Sequence, residues 1–239
     1  MSASLYLLSG GAANGLVSRL QGRFTEQTGL QIHGTFSAVG QMKQALLAGQ
    51  PCDLVILTEA LVRELVASGH LEGATARRVG VVRTGLGVPA GQVAPPMSTA
   101  QQLAQALQQA SGVYMADPLK ATAGIHFMKV LRELGLDLSL GPRLRPFADG
   151  QTAMAAMVRD SGPAGQILIG CTQITEILNT EGVRSVGLLP PQFELATVYS
   201  AAVVKGSGHS RAAAAMIELL CQPEQARLRQ ACGFDSDPA

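Results

Sequence analysis

Tryptophan is absent from this sequence and aromatic residues make up only 4% of it, so stacking platforms for nucleobases or sugars are poorly supplied. Charge is scarce as well. Asp, Glu, Lys and Arg amount to 15% of the chain and the formal net charge is +1, which leaves no bulk field to hold a nucleic acid or an acidic membrane. No apolar run reaches the roughly 18 residues of a membrane span. The opening stretch MSASLYLLSGG has neither the basic n-region nor the long h-region of an export leader. As it stands this predicts a cytoplasmic protein, and a periplasmic one if a leader had been removed. The four cysteines, Cys52, Cys171, Cys221 and Cys232, form no C-x-x-C pair. Reduced, mostly buried thiols are expected, with a Cys221–Cys232 bridge as the alternative. There is no GxxxxGK[ST] or GxGxxG loop, no GxSxG elbow and no HExxH pair, and the histidines at 33, 70, 126 and 209 are far apart. No cofactor and no metal are therefore expected.

What is present is an apolar share of 47% over 239 residues, enough for one large core or two small ones. Short apolar runs alternate with helical periodicity, the order expected of parallel sheets flanked by helices. Leu5 to Leu8 reads as a strand, Gly10-Gly11 as a turn, and residues 14 to 28 as a helix with Leu16, Leu20 and Phe24 on one face. The strand Leu30 to Phe36, the helix Gly40 to Leu47 stopped by Gly49, the strand Cys52 to Leu57 and the helix Glu59 to Ser68 follow. Three such units in a row predict a doubly wound sheet. Strands at Val79 to Val88 and Gly112 to Ala116 flank a helix over 99 to 110. Alternation then resumes with helix Ala123 to Leu134, strand Leu144 to Phe147, helix Thr152 to Val158 and strand Gln166 to Ile169. A strand at Thr197 to Val204 and helices over 210 to 220 and 223 to 231 close the chain.

This layout, together with four local motifs, resembles the periplasmic solute-binding proteins of type 2 fold, and within them the molybdate-binding branch. The motifs are LYLLSGGAANGL, the segment TFSAVGQMKQALLAGQPCDLVILTE with its AGxPxDL-like core at Ala48 to Leu54, the turn ADPLKATAGIH, and the tail from Val198 to Phe234. The resemblance implies an α/β fold of two doubly wound domains, residues 1–82 with 195–239 and residues 83–194, closing a ligand cleft between them. It implies a small anionic ligand held by backbone N–H groups at helix starts. The ligand-binding residues expected on that basis are Ser9, Gly10, Gly11, Ala12, Ser37, Ala38, Val39, Gly40, Lys120, Thr122, Ala123, Gln151, Thr152 and Gly170. An ABC permease is the partner if the protein is exported, and a monomer is expected.

Departures from the molybdate-binding pattern carry information. That pattern has a serine where this chain has Ala12, serines where it has Ala38, Val39 and Gly40, and a tyrosine where it has Gly170. Each lost hydroxyl forfeits roughly 1 to 3 kcal/mol in a buried oxyanion site. The substitution at Gly170 also predicts a wider cleft, and a di- or tricarboxylate in place of a metal oxyanion. Replacement polar groups stand nearby: Asn14, Gln41, Lys43, His126 and Thr172. Lys43 and Lys120 have the alternative of being solvated surface lysines, and Ser9 and Thr122 that of capping their turns. Some proteins similar to the molybdate binders are aconitate isomerases. On that alternative the chain moves an allylic proton of a tricarboxylate, with His126 as the first candidate carrier and Lys120 and Ser9 beside it.

Overall fold

The structure, a computed structural model, describes residues 4–162 and 166–235. The chain divides into two compact units, one running to Val82 and resuming at Thr197, the other Arg83–Ala196.

The first unit opens with β1 (Ser4–Gly10), α1 (Asn14–Thr28), β2 (Gln31–Ser37), α2 (Val39–Leu47), β3 (Leu54–Thr58) and α3 (Glu59–Ala67). β1 lies between β2 and β3, parallel to both, as the βα order requires. Leu5, Leu7, Leu8 and Leu54 to Leu57 are buried on these strands, with Leu16, Leu20 and Phe24 of α1 and Val62 and Leu65 of α3. A fully buried side chain of this kind contributes about 1.5 to 3 kcal/mol by leaving water. α2 ends at Ala48, and Gly49 then takes φ +82, a left-handed step that glycine makes without a Cβ clash.

The long strand β4 (Arg77–Pro89) leads into the second unit, which contains α4 (Ala100–Gln109), β5 (Gly112–Ala116), α5 (Thr122–Glu133), α6 (Asp137–Leu140), β6 (Leu144–Phe147), α7 (Gly150–Arg159), β7 (Leu168–Gln173), α8 (Ile174–Leu178) and β8 (Val183–Leu188). β5 is parallel to both β6 and β7, while β4 runs antiparallel to β7 and β8. Alternation along the strands feeds two cores. Val113, Met115, Ile169 and Cys171 pack with Phe127, Val130 and Leu131 of α5 on one face. Tyr114 and Leu168 pack with Met154 and Met157 of α7 and Ile177 of α8 on the other.

The chain then returns to the first unit through β9 (Ala196–Val203), α9 (Ser210–Cys221) and α10 (Ala226–Ala231), with β9 antiparallel to β3. Asp53 fastens this return. Its carboxylate accepts the Tyr6 N–H at 2.8 Å and the Ser207 hydroxyl at 2.6 Å, and its carbonyl accepts the Val204 N–H. All four cysteines are free thiols, and burial raises the pKa of each, Cys52 to about 12. No helix among the described residues is long and apolar enough to cross a membrane.

Candidate functional site

In the first unit, the register of β1 against β2 sets Gly10 beside Ser37. This brings the segments Ser9 to Ala12 and Ser37 to Gly40 together at the carboxyl ends of two parallel strands, the edge where open α/β sheets present helix starts to ligands. Space is tight there: a Cβ on Gly10 would stand 2.7 Å from Val39 Cγ1 and 3.0 Å from Tyr199 Cε1. α1 starts after Ala13 and α2 after Ala38, and neither start receives a side-chain cap. The walls around them are apolar, with Ala12, Ala38 and Val39 buried. Ser9 does not cap its turn: its buried hydroxyl donates to the Gly10 carbonyl at 2.9 Å. Ser37 donates to the Gln41 side chain at 3.0 Å. Lys43 is paired with Glu64 at 2.5 Å and so is spent as a site cation.

In the second unit, the turn after β5 is shaped by Asp117, whose carboxylate accepts the N–H groups of Leu119 and Lys120. The Lys120 side chain is exposed. α5 then starts after Ala121, again without a side-chain cap, so Thr122 is its first residue and not its cap. Its first turn rests on the end of β5. A Cβ on Gly124 would come within 2.3 Å of the Ala116 and Asp117 carbonyl oxygens, so glycine is what lets the helix sit there. His126 lies one turn further along, and its Nε2 meets the Phe193 carbonyl at 2.7 Å, leaving Nδ1 as the ring nitrogen without that tie.

The start of α7, which holds Gln151 and Thr152, is different in kind. The Thr152 N–H is taken by the Asp149 carboxylate at 2.8 Å, an N-cap by acid. The Gly150 N–H goes to Glu176, a buried carboxylate that also accepts the Gln173 N–H and the Thr172 hydroxyl at 2.5 Å. A Cβ on Gly150 would lie 1.8 Å from Thr172 Oγ1 and 2.1 Å from Glu176 Oε2. Burial pushes the Glu176 carboxyl up to about 7; the Thr172 hydroxyl opposes this and the nearby Asp149 charge adds to it. Glu176 has no signature in the sequence, where one acid in the run QITEIL reads as the polar side of a short helix. Beside it, both amide atoms of Gln173 and the hydroxyls of Thr84 and Thr175 are buried without a partner.

Gly170 corrects one expectation. The missing side chain opens no room, because a Cβ there would stand 2.4 Å from Met154 Cε, with Met157 Sδ at 3.2 Å. Met154 of α7 fills the space.

Known proteins agree with this architecture. An aconitate isomerase of Pseudomonas sp is 26% identical over 242 residues, spanning 99% of this chain and 89% of that protein. The molybdate-binding protein ModA of Escherichia coli K12 is 25% identical over 219 residues, spanning 89% and 81%. Among solved structures, the periplasmic molybdate-binding protein of Azotobacter vinelandii matches with a TM-score of 0.78 at 17% identity, covering 98% of this chain and all of that one, 100%. The sulfate-binding protein SubI of Mycobacterium tuberculosis matches with a TM-score of 0.73 at 19% identity, covering 99% and 88%. At such identities the structural likeness speaks for the fold, which is the α/β fold of the type 2 periplasmic binding proteins. A model of the bacterial extracellular solute-binding protein family matches residues 5–235, and the chain belongs to that family.

Proposed function

We propose that the ligand is a small organic anion, a di- or tricarboxylate, and that the protein works by binding it. The observation that carries this reading is the way α1, α2 and α5 begin. α2 and α5 each start from an alanine with no side-chain cap, α1 is led in by an uncapped 3-10 turn at Gly11–Ala13, and the first N–H groups of a helix have no partner within the helix. Such N–H groups suit a carboxylate. The buried Ala12, Ala38 and Val39 suit the carbon skeleton of an organic anion better than the outer oxygens of a tetrahedral metal oxyanion. Within the first unit this reading assigns the contacts to Ser9, Gly10, Gly11, Ser37 and Gly40, and the second unit offers a set of its own at Lys120, Thr122 and Ala123. In an exported form the protein would hand the anion to an ABC permease.

A second reading, aconitate isomerase, is favoured by the relative of that activity that aligns over 99% of this chain. On it, His126 takes and returns the allylic proton through Nδ1 while helix N–H groups hold the anionic intermediate, with Lys120 of the same unit beside the substrate.

The test is the melting temperature in the presence of molybdate, tungstate, sulfate, citrate, tricarballylate and both aconitates. A ligand at 100 times its Kd adds about 2.7 kcal/mol. A shift by tricarboxylates alone supports the reading, and turnover of trans-aconitate then separates binder from enzyme. A shift by molybdate or tungstate alone overturns it.

A further inference from the structure

In the second unit, the face of the sheet that carries α5 ends in two polar side chains that nothing pairs with. The register of β4 against β7 sets Leu86 opposite Cys171 and Thr84 opposite Gln173. Leu86 and Cys171 pack with Phe127 and Leu131 of α5, and alternation puts Thr84 and Gln173 on that same face, two residues nearer the carboxyl end of β7. The first turn of α5 stands at that end too. Phe127 joins the core that holds Cys171, and one turn earlier Gly124 rests on the Ala116 and Asp117 carbonyls, just past the point where β5 pairs Met115 with Cys171. The Gln173 side chain is thus aimed at a helix start whose N–H groups receive no side-chain cap. Gln173 is 4% exposed and Thr84 0%, and neither the amide nitrogen and oxygen of the one nor the hydroxyl of the other has a hydrogen-bond partner. An amide shut off from water and from the protein alike destabilises the free fold, and a ligand that pairs with it offsets that cost.

We propose that Gln173, with Thr84 across the strand pair, is a specificity-determining residue that takes a hydroxyl group of the anion whose carboxylate the α5 start holds, so that the ligand is a hydroxycarboxylate. This rests on the reading that the ligand is a small organic anion. The assignment follows from donors and acceptors. Backbone N–H groups only donate and a carboxylate only accepts, so these two satisfy each other. The Gln173 amide offers N–H on one side and a carbonyl oxygen on the other, and the Thr84 hydroxyl both donates and accepts. A bare carboxylate leaves Gln173 Oε1 without a donor. A hydroxyl next to the carboxylate fills that place, while accepting from Nε2 or from Thr84 Oγ1. The pair carries no charge, so an uncharged donor suits it better than an ammonium group, which would have to be desolvated with no opposite charge from these side chains. No hydrogen bond holds the Gln173 amide where it is, so turning it toward the ligand breaks none.

The experiment is titration calorimetry of the wild-type protein with anions that differ in one group: citrate against tricarballylate, and malate against succinate and aspartate. In the set that the protein binds, the hydroxy acid should bind roughly tenfold to a hundredfold tighter than the analogue without the hydroxyl, and tighter than the amino acid. Gln173→Met keeps the length of the side chain and removes the amide, and should bring hydroxy acid and analogue within about threefold of each other. A wild-type protein that binds the analogue as tightly as the hydroxy acid, or aspartate more tightly than malate, overturns the hydroxyl assignment while leaving the anion reading intact. A Gln173→Met preference equal to that of the wild type overturns it as well. Absence of heat from every one of these anions and from every anion of the melting panel overturns the anion reading itself, and the hydroxyl assignment with it. The comparison within each set needs only wild-type protein, so a variant that fails to fold does not remove the test.

Discussion

The starts of α2 and α5 on one side, and of α4 and α7 on the other, solve the same problem in opposite ways. α4 and α7 begin at Thr99 and Asp149, whose side chains accept an N–H of the first turn. α2 and α5 begin at Ala38 and Ala121 and forgo that contribution, typically about 1 kcal/mol each. A capped helix start is finished by its own chain, whereas an uncapped one keeps its N–H groups for something from outside. The starts of α3, α8 and α9 are uncapped as well, so the lack of a cap leaves N–H groups available without by itself marking a ligand site, while α7 is closed twice over, by Asp149 and by Glu176.

Three changes would break or sharpen this contrast. The largest effect is expected at Gly124, which seats the uncapped start of α5 on the end of β5. Gly124→Ala forces a methyl into two backbone carbonyl oxygens that cannot swing aside, and should cost about 3 kcal/mol, seen as a melting temperature lower by roughly 6 to 12 °C. An unchanged melt would mean that α5 is free to shift. Next comes the closed start of α7. The Glu176 carboxyl keeps its proton to about 7 in the folded protein, against an ordinary value of 4.5, so the folded state binds more protons throughout that interval. Stability from this group is complete below about 4.5 and is lost as pH rises to about 7, by roughly 3 kcal/mol. Urea unfolding at about pH 5 and about pH 8 should show the decline in the wild type and a smaller one in Glu176→Gln. The smallest effect is an exchange of caps. Thr99→Ala should lose about 1 kcal/mol in urea unfolding, and Ala38→Ser should gain a few tenths to about 1 kcal/mol. If Ala38→Ser also weakens the melting shift given by a tricarboxylate, the N–H groups at α2 are the ones a ligand uses.

The alternating order of strands and helices was legible because each element carries its own period: Leu16, Leu20 and Phe24 on α1, and the apolar run of β3. Elements without a period were not. β8 (Val183–Leu188) is a half-exposed strand with no clean alternation, and α8 is five residues long. The strand expected at Gln166 to Ile169 instead runs Leu168–Gln173, because Gly170, Thr172 and Gln173 carry no hydrophobic signal yet are buried between two helical layers. The glycine turn and the segment at Ala38 could be found from motifs. Which helix starts are closed could not, since Asp149 announces a cap for the Thr152 N–H whereas Glu176 reaches the Gly150 N–H from 26 positions further along the chain, a contact only the packing of α7 on α8 creates.

Asp53 has a meaning for the order of assembly. It joins Tyr6 in the first strand, 47 positions before it, to Ser207, 154 positions after it, and β3 gains its second neighbour only when β9 arrives. The inserted unit is continuous in sequence and can condense from local contacts, while the unit that starts first must hold β3 with an open edge until the last quarter of the chain is made. Synthesis and completion thus run in opposite order: the half begun earliest is finished last, and its exposed strand is the interval's aggregation hazard.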